Sequence, residues 1–129
     1  MRMARIVGMW ALQIFVGVIF VLLGVMKFRD PTWVRSFARW GYPDGFYLVV
    51  GALEVVGGLA VLVPSLASYG ALLLMAVMTG AALTHLVHGE MQRFVAPVVH
   101  LLFCGGVAWA RRRSAWRRRP VPVQPPAVI

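Results

Sequence analysis

Four long apolar runs separated by short polar stretches dominate this chain of 129 residues. The runs cover residues 6–26, 46–63, 66–88 and 94–110. About 20 apolar residues in a helix, at ~1.5 Å per residue, cross the ~30 Å hydrocarbon core of a bilayer. The pattern therefore predicts an all-α fold, a four-helix transmembrane bundle within residues 1–110. The second and fourth runs, of about 17 or 18 residues, are near the lower limit for a span.

The polar stretch between the first two runs, residues 28–44, has a helical pattern of its own. Its apolar positions are Trp33, Val34, Phe37 and Trp40, and its polar positions are Arg35, Ser36 and Arg39. Spacings of one, three and four predict a short amphipathic segment that lies in the membrane interface between helices 1 and 2. An aromatic connector packed on the bundle is the alternative, and it too places these rings at the headgroup level.

Composition agrees with a membrane protein. Hydrophobic residues make up 60% of the chain, the mean hydropathy is +0.79, and 13% of the residues are charged. A soluble domain of this length has too little interior to hide so much apolar surface. The one cysteine, Cys104, excludes an internal disulfide, a CxxC redox pair and a cysteine-rich zinc site.

The net charge of +9 comes mainly from the chain termini. Six arginines follow the last apolar run, namely Arg111, Arg112, Arg113, Arg117, Arg118 and Arg119. A basic cluster in that place predicts contact with anionic lipid headgroups, not with nucleic acid. With four spans, eight of the 13 basic residues lie on the side of the termini, which predicts that both termini are cytoplasmic. Residues 111–129 are expected to form a disordered, basic and proline-rich cytoplasmic tail.

Few polar residues interrupt the apolar runs, and the topology gathers most of them in the outer half of the bundle. A carboxylate in hydrocarbon must be buried in protein, paired or protonated, and Glu54 is such a residue. The candidate ligand-binding residues are Lys27, Trp40, Glu54, His85 and His100. They are compatible with a charge network, a proton relay or a pocket for a quinone-like ligand under an aromatic lid. Glu54 paired with Lys27 or a histidine solely to fix helix packing is the structural alternative.

Two further patterns bear on this cluster. His85 and His88 share a helix face, but no cysteine or fixed carboxylate pair accompanies them, so no metal site is predicted. Gly51, Gly57 and Gly58 surround Glu54 in the sequence. Small residues allow membrane helices to approach closely, which predicts tight packing around the carboxylate.

Several short motifs resemble those of the DoxX-like family of small bacterial membrane proteins. They are GVMKF at residues 24–28, WGYP at 40–43, GALEVVGG at 51–58, YGALLL at 69–74 and THLVH at 84–88. The resemblance implies a multi-pass four-helix bundle in the bacterial cytoplasmic (inner) membrane. It also implies Lys27 and Glu54 as an intramembrane polar pair, joined by His85. Some relatives are subunits of thiosulfate:quinone oxidoreductase, and others partner enzymes of oxidative-stress defence.

Three functions are compatible with these observations. The first is an accessory subunit of a membrane redox system, with an intramembrane pocket for a quinone or another lipophilic molecule. The second is a structural or assembly anchor that docks a partner protein or forms a homo-oligomer. The third is a small proton-coupled transporter or channel. Because the chain lacks a cysteine pair and a cofactor motif, we predict no catalysis by this chain alone, and a quinone is the candidate cofactor.

Overall fold

The computed structural model describes residues 1–116 and contains five helices in that range. Their bounds are α1 Arg2–Arg29, α2 Thr32–Arg39, α3 Phe46–Leu62, α4 Ala67–Val87 and α5 Met91–Trp116. All regular secondary structure in residues 1–116 is helical, which confirms the predicted all-α class for this part of the chain.

Helices α1 and α5 extend beyond the apolar runs that predicted them. Helix α1 begins at Arg2 and ends at Arg29, and α5 continues to Trp116. The basic segment 111–116, where the tail was predicted to begin, is therefore helical. Arginine and alanine favour helix, and no proline or glycine occurs between Gly106 and Pro120. The remaining predicted tail, with Arg117, Arg118 and Arg119, lies outside the described residues.

The four longer helices pack against one another in a defined order. Helix α1 packs along α3, α3 against α4, and α4 along α5, while α1 also touches α5. The buried apolar core between them consists of Val16, Phe20, Val61, Ala67, Ala71, Leu74, Met78, Cys104 and Val107. The core residues are few for a chain of this hydrophobicity, so most apolar side chains must lie elsewhere.

Those side chains lie on the outside. Leu22, Leu59, Leu72 and Leu102 are all exposed, one from each of the four longer helices. An outer surface of this kind is unfavourable in water and favourable in hydrocarbon. Helices α1, α4 and α5 are long and apolar enough to cross a membrane, whereas α3 has 17 residues and is shorter. These features indicate a membrane protein.

Helix α2 differs in one detail from the predicted amphipathic segment. Phe37 and Ser36 are buried, whereas Val34 is exposed. The inward face therefore follows positions 33, 36, 37 and 40, the three- and four-residue spacing of one helix face. The prediction placed Ser36 on the polar side and Val34 on the apolar side, and both assignments are wrong. The aromatic residues of α2 do turn inward: Phe37 packs against Trp33 and Trp40.

Candidate ligand-binding site

Facing glycines bring α1 and α3 unusually close together. A Cβ atom added to Gly24 would lie 2.6 Å from the carbonyl oxygen of Gly51. A Cβ atom added to Gly58 would lie 2.8 Å from the carbonyl oxygen of Gly17. At both levels a side chain would collide with the backbone of the opposite helix, so only glycine permits this separation.

The close approach positions an ion pair. Lys27 follows Gly24 by three residues and Glu54 follows Gly51 by three, so both side chains project into the same interface. Lys27 Nζ donates to Glu54 Oε1 at 3.1 Å and to Oε2 at 2.8 Å. The two residues are only 6% and 1% exposed. Each buried charge therefore has an opposite charge within hydrogen-bond distance, as burial requires.

An aromatic ring covers the ammonium on another side. Lys27 Nζ lies 4.1 Å from the ring centre of Trp33, which is carried by α2. A cation over an indole face is attracted by the ring quadrupole. Lys27 therefore links α1 to α3 through a carboxylate and to α2 through an aromatic ring.

A turn at the end of α4 positions a second carboxylate. Gly89 adopts φ +70°, the left-handed conformation that favours glycine. The Glu90 N–H donates to the carbonyl of His85 at 2.8 Å, and the Gly89 N–H donates to that of Leu86 at 3.2 Å. These two bonds are those of a Schellman motif. The motif turns the chain back, so that Glu90 lies beside the last turn of α4.

Glu90 is the centre of a polar cluster that joins α2 to α4. His85 Nδ1 lies 2.7 Å from Glu90 Oε2, and Arg39 Nη2 donates to Oε1 at 2.9 Å. Trp40 Nε1 donates to the same oxygen at 3.4 Å, and its ring meets the His85 ring edge to face. The hydrogen bond from His85 is the main cause that lowers the pKa of Glu90, so this carboxylate is ionised at neutral pH.

A hydroxyl pair adds another connection between the α2–α3 turn and α4. Tyr42 and Thr84 are hydrogen-bonded through their side-chain oxygens. The Thr84 hydroxyl donates its one proton to the carbonyl of Gly80, so Tyr42 is the donor of the pair.

His100 approaches the same region from α5. Its Nδ1 lies 2.7 Å from the carbonyl oxygen of Ala96, and its ring meets Phe20 edge to face at 5.5 Å. A carbonyl oxygen only accepts, so Nδ1 carries the proton. In the neutral ring, Nε2 is then an acceptor.

These groups surround one cavity of about 900 Å³, to which all five helices contribute. Its walls are mainly apolar, for example Leu23, Leu53 and Val77. Its polar and aromatic lining residues include Lys27, Trp33, Trp40, Tyr42, Glu54, Thr84, His85 and His100. An apolar cavity with a few polar groups is the usual form of a small-molecule site.

Comparison with known proteins identifies the family. A sequence model of the DoxX-like family matches residues 11–107. The chain belongs to the DoxX-like family. No curated protein and no solved structure matches the chain. The matched range contains every residue that lines the cavity, and it also contains Glu90, whereas Arg111 lies beyond it.

The five residues predicted for the site all line this DoxX-like cavity. They are Lys27, Trp40, Glu54, His85 and His100. They form separate hydrogen-bonded groups, however, where the sequence predicted one cluster around Glu54. Lys27 and Glu54 make one group, and Trp40 and His85 join another through Glu90. His88, in contrast, is absent from the lining and hydrogen-bonds to the carbonyl of Thr84.

Sequence reasoning missed Glu90, Tyr42 and Thr84. Glu90 follows a glycine and lies five residues after His85, a spacing that a Schellman turn brings together. That signal was available in the DoxX-like sequence. The Tyr42–Thr84 contact joins residues 42 positions apart, and no local pattern predicts it.

Arg111 has partners within the protein that its place in a basic segment did not predict. Its side chain is buried, and Nε donates to Gln13 Oε1 at 2.7 Å. Gln13 in turn donates to the carbonyl of Val61 at 2.8 Å. Gln13 and Arg111 thus form a second buried polar group, at the end of the DoxX-like protein where α1 begins.

Between residues 1 and 116, no three His, Cys, Asp or Glu side chains are grouped as a metal site would require.

Proposed function

We propose that this DoxX-like protein binds a lipophilic small molecule, of the quinone class, in the cavity around Lys27, Glu54, His85 and His100. The observation that carries the proposal is the cavity itself, about 900 Å³ with apolar walls and few polar groups. Known small-molecule sites have volumes of about 300–1,000 Å³ and the same balance of lining. In this role the protein is an accessory subunit of a membrane redox system, with a partner that performs the catalysis.

The chemistry of the lining fits a quinone and its reduced form. A quinone ring is an apolar body with carbonyl oxygens that accept hydrogen bonds, and reduction converts these to hydroxyls. The Lys27 ammonium has three N–H donors, of which two contact Glu54. A carbonyl oxygen is a suitable acceptor for the third. The neutral tautomer of His100 whose Nδ1–H is bonded to Ala96 has Nε2 as an acceptor for a hydroxyl.

The membrane arrangement proposed with this role is a four-helix bundle of α1, α3, α4 and α5, with α2 in the outer interface. The apolar outer surface supports it, as do the aromatic and basic residues of α2. The excess of basic residues at the termini supports cytoplasmic termini in a bacterial cytoplasmic membrane.

The test is to extract lipophilic molecules from the purified protein and identify them by mass spectrometry. His100→Leu removes a lining group, and His88→Leu is the matched control, because His88 is exposed and outside the cavity lining. We expect a quinone to co-purify with wild type and His88→Leu and to be depleted in His100→Leu. Extracts without a quinone, or equal amounts in the two variants, would contradict the proposed site.

A further inference from the structure

Within residues 1–116, the buried guanidinium of Arg111 has no acidic partner. The chain contains four acidic residues, Asp30, Asp44, Glu54 and Glu90. Glu54 is paired with Lys27, and Glu90 with Arg39. Asp30 follows α1, where it accepts the N–H of Thr32, and Asp44 precedes α3.

All four acids are remote from Arg111. The Arg111 side chain contacts Gln13 on α1, and Lys27 lies 14 residues further along the same helix. That separation corresponds to ~21 Å of helix. Asp30 lies beyond Lys27 along α1. Glu90 precedes α5, so ~30 Å of helix separate it from Arg111.

In the described part of the chain, the groups in contact with Arg111 are polar or aromatic and carry no negative charge. Its Nε–H donates to the Gln13 carbonyl oxygen at 2.7 Å, and its guanidinium lies 4.6 Å from the ring centre of Trp10. The Gln13 amide is held in this orientation because its nitrogen donates to Val61. Arg111 Nη2 is buried and has no hydrogen-bond partner within residues 1–116.

A guanidinium remains charged at all physiological pH values, so proton loss does not relieve this burial. A buried charge is unfavourable unless a counter-charge and hydrogen bonds compensate it. The side chain is 7% exposed, and its observed partners are a neutral amide and a ring. An anion with acceptor oxygens would supply both the counter-charge and a hydrogen-bond acceptor for Nη2.

The position of Arg111 along α5 identifies the chemistry of that anion. It lies 20 residues after the first residue of α5, or ~30 Å, which is one hydrocarbon thickness. Arg111 therefore reaches the headgroup level opposite the α4–α5 connection, where phosphate is the abundant anion. The planar guanidinium matches the geometry of phosphate oxygens.

We propose that Arg111, with Gln13 and Trp10, binds one phosphate group, supplied by a phospholipid headgroup. This site differs from a diffuse basic surface, because it depends on one arginine whose orientation is fixed by Gln13. Arg113 lies two residues later in α5, carries the same charge and is exposed. It provides the matched control.

The test measures thermal unfolding of the delipidated protein in neutral detergent, with four titrations. Phosphatidylglycerol is compared with diacylglycerol of the same chains, which lacks the phosphate, and with inorganic phosphate and sodium chloride. We expect phosphatidylglycerol to raise the unfolding temperature of wild type and Arg113→Gln, and diacylglycerol to have no such effect. Arg111→Gln should lose the rise. Arg111→Lys keeps the charge but not the planar fork, and we expect about tenfold weaker binding.

Each other outcome is informative. An equal rise with inorganic phosphate supports the phosphate site and identifies the free ion, not the lipid, as its source. An equal lipid response in Arg111→Gln and Arg113→Gln overturns the proposal. A wild type that is indifferent to both phosphate sources overturns it too and leaves a partner protein's carboxylate as the counter-ion. If Arg111→Gln does not fold, the wild-type titrations and Arg111→Lys still test the proposed phosphate site.

Discussion

Breaking the Lys27–Glu54 pair should be among the most destabilising polar changes available in this protein. Lys27→Met keeps most of the side-chain volume but removes the two hydrogen bonds of 3.1 and 2.8 Å to Glu54. Glu54 is 1% exposed, so water cannot replace the ammonium. Breaking a buried pair from one side typically costs about 3–5 kcal/mol. We expect Lys27→Met to fall in that range.

The double variant separates the cost of an orphaned charge from the value of the pair. Lys27→Met with Glu54→Leu leaves no charge in the α1–α3 interface. Replacing a buried ion pair by apolar side chains is often neutral or stabilising. We therefore expect the double variant to be more stable than Lys27→Met alone, by about 2 kcal/mol or more.

The assay is reversible unfolding in mixed detergent micelles, in which an increasing fraction of a denaturing detergent unfolds the helical bundle. Arg39→Met is the control for a basic residue whose ion pair is exposed, since the Arg39 side chain is 56% exposed. Exposed pairs contribute about 0–1 kcal/mol, so this variant should change little. The reasoning would be refuted if Lys27→Met cost no more than Arg39→Met. It would also be refuted if the double variant lost the sum of the two single losses.

Two further predictions use the same protein. Gly24→Leu should destabilise the bundle by about 3 kcal/mol or more through overpacking, because its Cβ would lie 2.6 Å from the Gly51 carbonyl oxygen. Gly8→Leu, with nothing within 4 Å of the added Cβ, should be tolerated in the same unfolding assay; equal losses would contradict the close approach. The second prediction concerns Glu90, whose pKa is lowered in the folded protein. Its contacts therefore stabilise α2 fully above the ordinary glutamate pKa of about 4.3. This stabilisation is lost as the pH falls through the lower pKa of the folded state. Acrylamide quenching of Trp40 fluorescence, obtained as the difference between wild type and Trp40→Phe, should rise on acidification. Glu90→Gln should show this high quenching already at neutral pH. Wild-type quenching that does not change with pH would count against this role of Glu90.

The helices and the Lys27–Glu54 pair were predictable from sequence because each rests on a simple constraint. A long apolar run has few structures available to it, and a charge within it has few partners. The cluster around Glu90 was harder to predict. A polar residue between two apolar runs is unremarkable, and its importance comes from the turn at Gly89, which returns it to His85.

The burial of Arg111 was not predicted, although the sequence contains a signal for it. In composition it is one of six arginines in a basic segment. Helix phase distinguishes it: Arg111 lies seven residues after Cys104 and four after Val107, and both of those residues are buried. The spacing puts all three on one face of α5, provided that the helix continues beyond residue 110. A helix predicted to end at residue 110 does not include Arg111, so its burial could not be predicted from helix phase.

A single alignment of α1 against α3 satisfies the buried polar groups at both ends of their interface. Gln13, Gly17, Phe20, Gly24 and Lys27 follow spacings of four and three and are all buried on one face of α1. The glycines allow contact with the backbone of α3, while the polar residues at both ends require particular partners there. A slip by one turn, ~5.4 Å, would move Lys27 away from Glu54 and Gln13 away from Val61 at once. Because orphaned buried polar groups are costly, the two ends oppose such a slip even where the apolar surface between them would tolerate it.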